Sequence, residues 1–159
     1  MTVSAAMQAR LDKIDAHLKE HNLRVEKLYG FYPILKSNSN DSTKPLASRG
    51  PTGSGFSWIA FFFAYAVSTQ IREFSFFAIQ ASIYILTAWI HVISGKDLSA
   101  VAALGVYIAY GYWFPYLRYL AFKNNRHEYT RFQSIIFGLF LSFASTAPAI
   151  VIELVFINN

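Results

Sequence analysis

The chain has no cysteine in its 159 residues. That excludes disulfides, thiolate metal sites, cysteine nucleophiles and lipidation on cysteine. Charge is scarce too: 14% of residues are Asp, Glu, Lys or Arg, against roughly 25% in a soluble domain. Also missing are a Gly-x-Ser-x-Gly elbow, a His-Glu-x-x-His pair and any paired-carboxylate arrangement. No repeat of 20–50 residues is visible. What fills the chain instead is apolar. Hydrophobic residues make up 54% and aromatics 18%, with 15 Phe, 10 Tyr and 3 Trp. One soluble domain of this length cannot hide so much apolar surface, so the composition points to an integral membrane protein.

Three zones differ in composition. Residues 1–35 form a charged, helix-prone head. Residues 36–55 are a linker rich in Ser, Asn, Gly, Pro and Thr, too polar to fold alone and expected to be a flexible tether. Residues 56–159 are the apolar membrane zone. The head lacks the apolar run of roughly 7–15 residues that a secretory signal peptide needs. It reads as one amphipathic helix over 4–28, opened by Ser4, closed by Gly30 and blocked by Pro33. Its stripe is Met7, Leu11, Ile14, Leu18, Val25 and Leu28, with His21 as a polar break. Such a heptad-like spacing suits a coiled-coil partner helix, and equally a helix lying on the membrane or on the protein's own loops. His17 and His21 stand at i, i+4, a chelating spacing without an obvious third ligand, and a solvated face is the better reading.

Two motifs in the linker are decoys. Gly50 to Gly55 has the glycine spacing of a phosphate loop, but Phe56 stands where the lysine belongs and no strand precedes it. Asn40-Asp41-Ser42 is a formal glycosylation acceptor that matters only in a glycosylating lumen.

Charges divide the apolar zone into runs at 56–70, 74–94, 98–117 and 132–157. A spanning helix needs about 20 residues, so the last three qualify and the first is half-length. The alternative is four spans. Lysine and arginine decide between them. With four spans and the N-terminus inside, nine lie inside and five outside. If 56–70 does not cross, 13 of 14 lie inside and only Lys96 outside. The expected fold is therefore an all-α membrane protein with one short re-entrant or in-plane helix and three transmembrane helices, N-terminus cytosolic and C-terminus periplasmic. Basic charge beside spans is explained by this topology, so nucleic acid is not an expected partner.

Phe-Ser-Trp-Ile-Ala-Phe-Phe-Phe at 56–63, with Arg72 nine residues on, resembles the opening signature of a widespread family of small bacterial membrane proteins. That family is known only as a domain of unknown function, and its members open Phe-x-Trp-Ala-Ala-Phe-Phe-Phe. The basic stretch Tyr119–Arg131 resembles a later family feature, and the likeness covers about residues 55–155. Ile59 replaces the usual small residue, and Ala64 and Tyr65 stand where glycine and proline are common. The resemblance implies a bacterial inner-membrane protein and assigns no catalytic residue.

Within the membrane zone, Trp58 and Phe61 suit an interfacial anchor or a partner-docking face. Tyr112, Tyr116 and Tyr119 share a helix face, which fits an aromatic belt better than a cation cage. The loop with His127, Glu128 and Arg131 suits anionic headgroups or a partner. Gln80, His91 and Glu153 are the intramembrane polar candidates, and His91 and Glu153 fall at the same outer end, where they can pair. Gly105 and Gly111, with several alanines, permit close helix contact, and the last two spans are expected to pack as a hairpin. Pro115 reads as a kink or stop, and Pro148 as a bend whose freed carbonyl Ser145 or a neighbour must satisfy. No cofactor is expected. The expected function is non-enzymatic: an accessory protein that docks in the bilayer on another membrane protein or forms a homo-oligomer, with an assembly, immunity or exclusion factor as sub-cases. The alternative is a small transporter or channel subunit with an ion- or proton-linked site.

Overall fold

A computed structural model describes residues 5–28, 32–37, 43–45 and 55–157. Their order is α1 (Ala5–Glu20), β1 (Leu23–Leu28), β2 (Tyr32–Ser37), β3 (Thr43–Pro45), α2 (Trp58–Phe62), α3 (Ala64–Gln70), α4 (Ser75–Ser94), α5 (Ser99–Lys123) and α6 (Arg131–Phe156). The chain is mostly helical. Three helices, α4, α5 and α6, are long and apolar enough to cross a membrane.

The head departs from the expected single helix. Helix α1 ends at Glu20, and Asn22 takes a left-handed conformation with φ 51°. The chain then reverses into an antiparallel sheet of order β1-β2-β3, with Val25 opposite Leu35 and Ile34 opposite Pro45. The all-α expectation is corrected accordingly. Leu23, Val25 and Lys27 alternate with Arg24, Glu26 and Leu28, a period of two that suits a strand. The sheet also takes up parts of the expected linker, at Lys36–Ser37 and Thr43–Pro45. Ser4, Gly30, the glycosylation acceptor and Gly50–Ser54 lie outside the described residues. Leu11, Ile14 and Leu18 are buried in one core with Val25 and Leu35. Of the stripe, Leu11, Ile14, Leu18 and Val25 are covered by the chain itself, the alternative to a partner face, with Met7 packed at the edge and Leu28 exposed.

The half-length segment is two helices rather than one. Phe63 breaks it with φ −127° and ψ 38°, ending α2 and opening α3. Ala60 and Ala64 point inward and are fully buried, while Trp58, Ile59 and Phe62 face out. Backbone of this kind is tolerated at membrane depth when protein covers it, and α5 and α6 provide that cover.

Pro115 lies inside α5 and does not stop it. Proline has no N–H, so the carbonyl four residues earlier loses its helical donor. That carbonyl belongs to Gly111, and the Ser57 N–H donates to it at 3.0 Å. Phe56 follows into the same gap: a Cβ on Gly111 would sit 2.3 Å from its ring. Gly111 thus has a use within the chain. Gly138 plays the same part on α6, where an added Cβ would lie 2.4 Å from the Tyr65 carbonyl oxygen.

The expected hairpin of the last two spans is also corrected. Helix α6 packs on α4 and α3, and α5 packs on α2 and α4. In α6 the Ser145 hydroxyl donates to the Ser142 carbonyl at 2.8 Å, so it does not serve the carbonyl that Pro148 frees. Helix α4 ends at Gly95, whose φ of 68° favours glycine and whose N–H donates to the His91 carbonyl. A capping box of Thr130 and Gln133 opens α6.

Candidate functional site

The polar groups of the helical set lie along one seam and at one end. The seam runs between α4 and α6. Gln80 Nε2 donates to Ser142 Oγ at 3.3 Å, and His91 Nδ1 lies 3.2 Å from Glu153 Oε1. Both pairs are separated by 62 residues, so the two helices run parallel in constant register. Gln80 and His91 are eleven residues apart, about three helical turns, which puts both on one face. Gln80 is 2% exposed, and its Oε1 has no hydrogen-bond partner among the described residues. The pairing that the sequence allows between His91 and Glu153 is present, and both side chains stay partly exposed. Gln80 does not join it: it lies about 16 Å further along the helix at ~1.5 Å per residue.

The second site was not anticipated. Glu73, in the turn between α3 and α4, is 4% exposed. A buried carboxylate is costly unless it is paired and fully hydrogen-bonded, and here both oxygens are engaged. Lys27 of β1 bonds Oε2, and Arg126 of the α5–α6 loop reaches it at 3.4 Å. The Ser75 hydroxyl donates to Oε1 at 2.6 Å. One carboxylate therefore joins the sheet, the α3–α4 turn and the loop before α6.

Around it the same end is stitched further. The Tyr129 N–H donates to the Gln70 carbonyl at 3.0 Å, and the Arg72 guanidinium sits 4.4 Å from the centre of the Tyr129 ring. Arg118 lies 3.5 Å from Glu128. Tyr119 donates to Asp15 of α1 at 2.7 Å. Lys19 and then this hydroxyl hold the Asp15 carboxyl below its ordinary value. Sequence reasoning missed the cluster because Glu73 meets Lys27 and Arg126 across 46 and 53 residues. The one available signal was an isolated acid between two apolar runs.

The other candidates separate. Tyr116 and Tyr119 are buried while Tyr112 is exposed, so the three do not form an open cage. Trp58 and Phe61 join an aromatic group with Phe56 and Phe62. Glu20 supplies the third group missing beside His17 and His21, all three ligand atoms lying within 4.8 Å of one another at the end of α1. The His17 ring titrates below its ordinary value, through burial and then the neighbouring His21. Among the described residues, nothing beyond its chain neighbours and its own helix backbone lies within 4 Å of a Cβ added at Gly105. Compared with protein-family models, with curated proteins and with solved structures, the chain matches none of them.

Proposed function

We propose that this chain is a small, non-enzymatic accessory protein of a bacterial inner membrane, docked within the bilayer on another membrane protein or on further copies of itself. Assembly, immunity and exclusion factors are forms of this role. The supporting observation is Gly105. Glycine inside a helix costs roughly 0.5–1 kcal/mol relative to alanine. Gly111 and Gly138 each have a reason within the chain, since Phe56 and Tyr65 occupy the space a side chain would need. Gly105 has none, and Val101 and Leu104 beside it are exposed. A neighbouring helix approaching closely at this point accounts for it.

The orientation follows from charge. Among the described residues, the head, the Glu73 turn and the α5–α6 loop share one end and carry every Lys and Arg except Lys96, which supports a cytosolic location for that end and a periplasmic C-terminus. A Cys at exposed Asn124 then resists an impermeant maleimide in intact cells, whereas one at Lys96 labels. Labelling at Asn124 refutes the orientation.

The docking test uses the full-length protein, tagged at its N-terminus and extracted in mild detergent. A stoichiometric membrane partner or a homo-oligomer should co-purify. Gly105→Leu should remove it while leaving the monomer folded. A wild-type monomer, or a Gly105→Leu protein that keeps its partner, overturns the reading.

A second reading, a small transporter or channel subunit, draws on the α4–α6 seam with its His91–Glu153 pair and half-satisfied Gln80. It requires ion or proton flux in liposomes that His91→Ala abolishes.

A further inference from the structure

A cavity of about 630 Å³ lies where α1, the α2–α3 elbow, the last turns of α5 and the first turns of α6 converge. This volume is within the range of small-molecule sites. Its lining divides by chemistry. Ile59, Phe63 and Ile135 form an apolar wall that is itself exposed to the surroundings of the helices. Arg10, Arg118 and Arg131 supply three guanidinium groups from three different elements, and no Asp or Glu is among the lining residues. Arg118 is shared with Glu128 outside the cavity. Arg10 and Arg131 are exposed and make no ion pair among the described residues.

Position matters as much as composition. Arg131 is the first residue of α6, and Arg118 stands one turn before the end of α5. Both belong to the basic end of the helical set, the depth of lipid headgroups if these helices span. Guanidinium groups bind phosphate oxygens strongly and in a directed way. A basic pocket between spans on the cytoplasmic side, opening on an apolar wall, has the chemistry of an anionic-lipid site.

We propose that this cavity binds one anionic phospholipid, its phosphate held by Arg10, Arg118 and Arg131 and an acyl chain lying along Ile59, Phe63 and Ile135. The inference rests on the membrane reading and is independent of partner docking. The lipid would seal the junction between the head and the spans, because α1, α3, α5 and α6 all contribute to the cavity wall.

The test places the full-length protein in phosphatidylcholine nanodiscs and titrates phosphatidylglycerol, counting bound lipid by native mass spectrometry. One phosphatidylglycerol should be retained in preference to phosphatidylcholine. The preference should fall about fivefold for each arginine removed in Arg10→Gln and Arg131→Gln, and Lys96→Gln, at the far end, should not change it. Both variants are at exposed positions, and an unchanged Tm verifies their fold. Equal retention of the two lipids, or retention indifferent to both arginines, overturns the proposal. Displacement by millimolar glycerol 3-phosphate alone also overturns it, in favour of a soluble phosphate ester. An alkaline carbonate wash separates the two levels. Release from membranes ends the membrane reading and this inference with it, whereas a retained protein without lipid preference ends this inference alone.

Discussion

The two ends of the helical set are built differently. At the head end, α5 buries Tyr110, Trp113, Phe114, Tyr116, Leu117 and Tyr119, and a buried carboxylate gathers a lysine, an arginine and a serine. At the far end, α5 exposes Val101, Leu104 and Ile108, and the polar contact is a partly exposed His91–Glu153 pair. Chain-internal packing is concentrated where the short helices α2 and α3 wedge in. The far end has no such wedge, and its apolar side chains are left exposed. Specific structure is thus fixed at one end, and surface is offered at the other.

The comparison breaks most sharply at the glycines. Gly138→Val forces a side chain into the Tyr65 carbonyl. Backbone cannot swing aside, so the cost should be about 3 kcal/mol or more, seen as loss of folded protein in detergent. Gly105→Val, in open space, should leave the Tm unchanged. A stable Gly138→Val protein would show that α3 does not press on α6.

Next comes the buried carboxylate. Glu73→Gln removes the charge that Lys27 and Arg126 face. Breaking one partner of a buried pair costs ~3–5 kcal/mol. Arg126, with a side chain 38% exposed, can reach water, so the lower figure of about 3 kcal/mol is expected. Limited proteolysis should show the head cleaved faster than the spans. At the other end, His91→Ala should cost below about 1 kcal/mol, because that pair is solvent-accessible. Equal losses at the two sites would erase the distinction between the ends.

The smallest effect concerns pH. Lys19 and Tyr119 hold the Asp15 carboxyl below its ordinary value of 3.8. A depressed carboxyl stabilises the fold above the ordinary carboxylate range, and that contribution is lost as pH falls through it. Asp15 is over a third exposed, so about a few tenths of a kcal/mol is expected. The Tm gap between wild type and Asp15→Asn should be small at neutral pH, begin to close as pH falls below about 4, and vanish once pH passes below the lowered Asp15 value.

Much of this organisation was legible in the sequence where one local rule dominates. The runs 74–94 and 132–157 match α4 and α6 within one residue, because charged residues bound them. That His91 and Glu153 can meet followed from their matching positions within the two apolar runs. Legibility failed where two local rules agree or where contacts are distant. A step of seven from Leu18 to Val25 fits a helix stripe and an inward strand position alike, so the turn at Asn22 was hidden. Pro115 resembles a helix stop because the N–H that rescues its ladder comes from Ser57, 58 residues earlier. The arginines of the cavity come from three elements, and no spacing in the sequence links them.

That rescue has a consequence in time. Ser57 and Tyr65 are made well before the positions they serve: Gly111 follows Ser57 by 54 residues, and Gly138 follows Tyr65 by 73. As the ribosome delivers the chain, the short aromatic segment emerges before the three long helices and is too short to span a bilayer on its own. It has no seat until α5 arrives, and its second wall is missing until the last helix is complete. Biogenesis of this protein therefore finishes near its beginning, with the earliest apolar segment the last to be locked in.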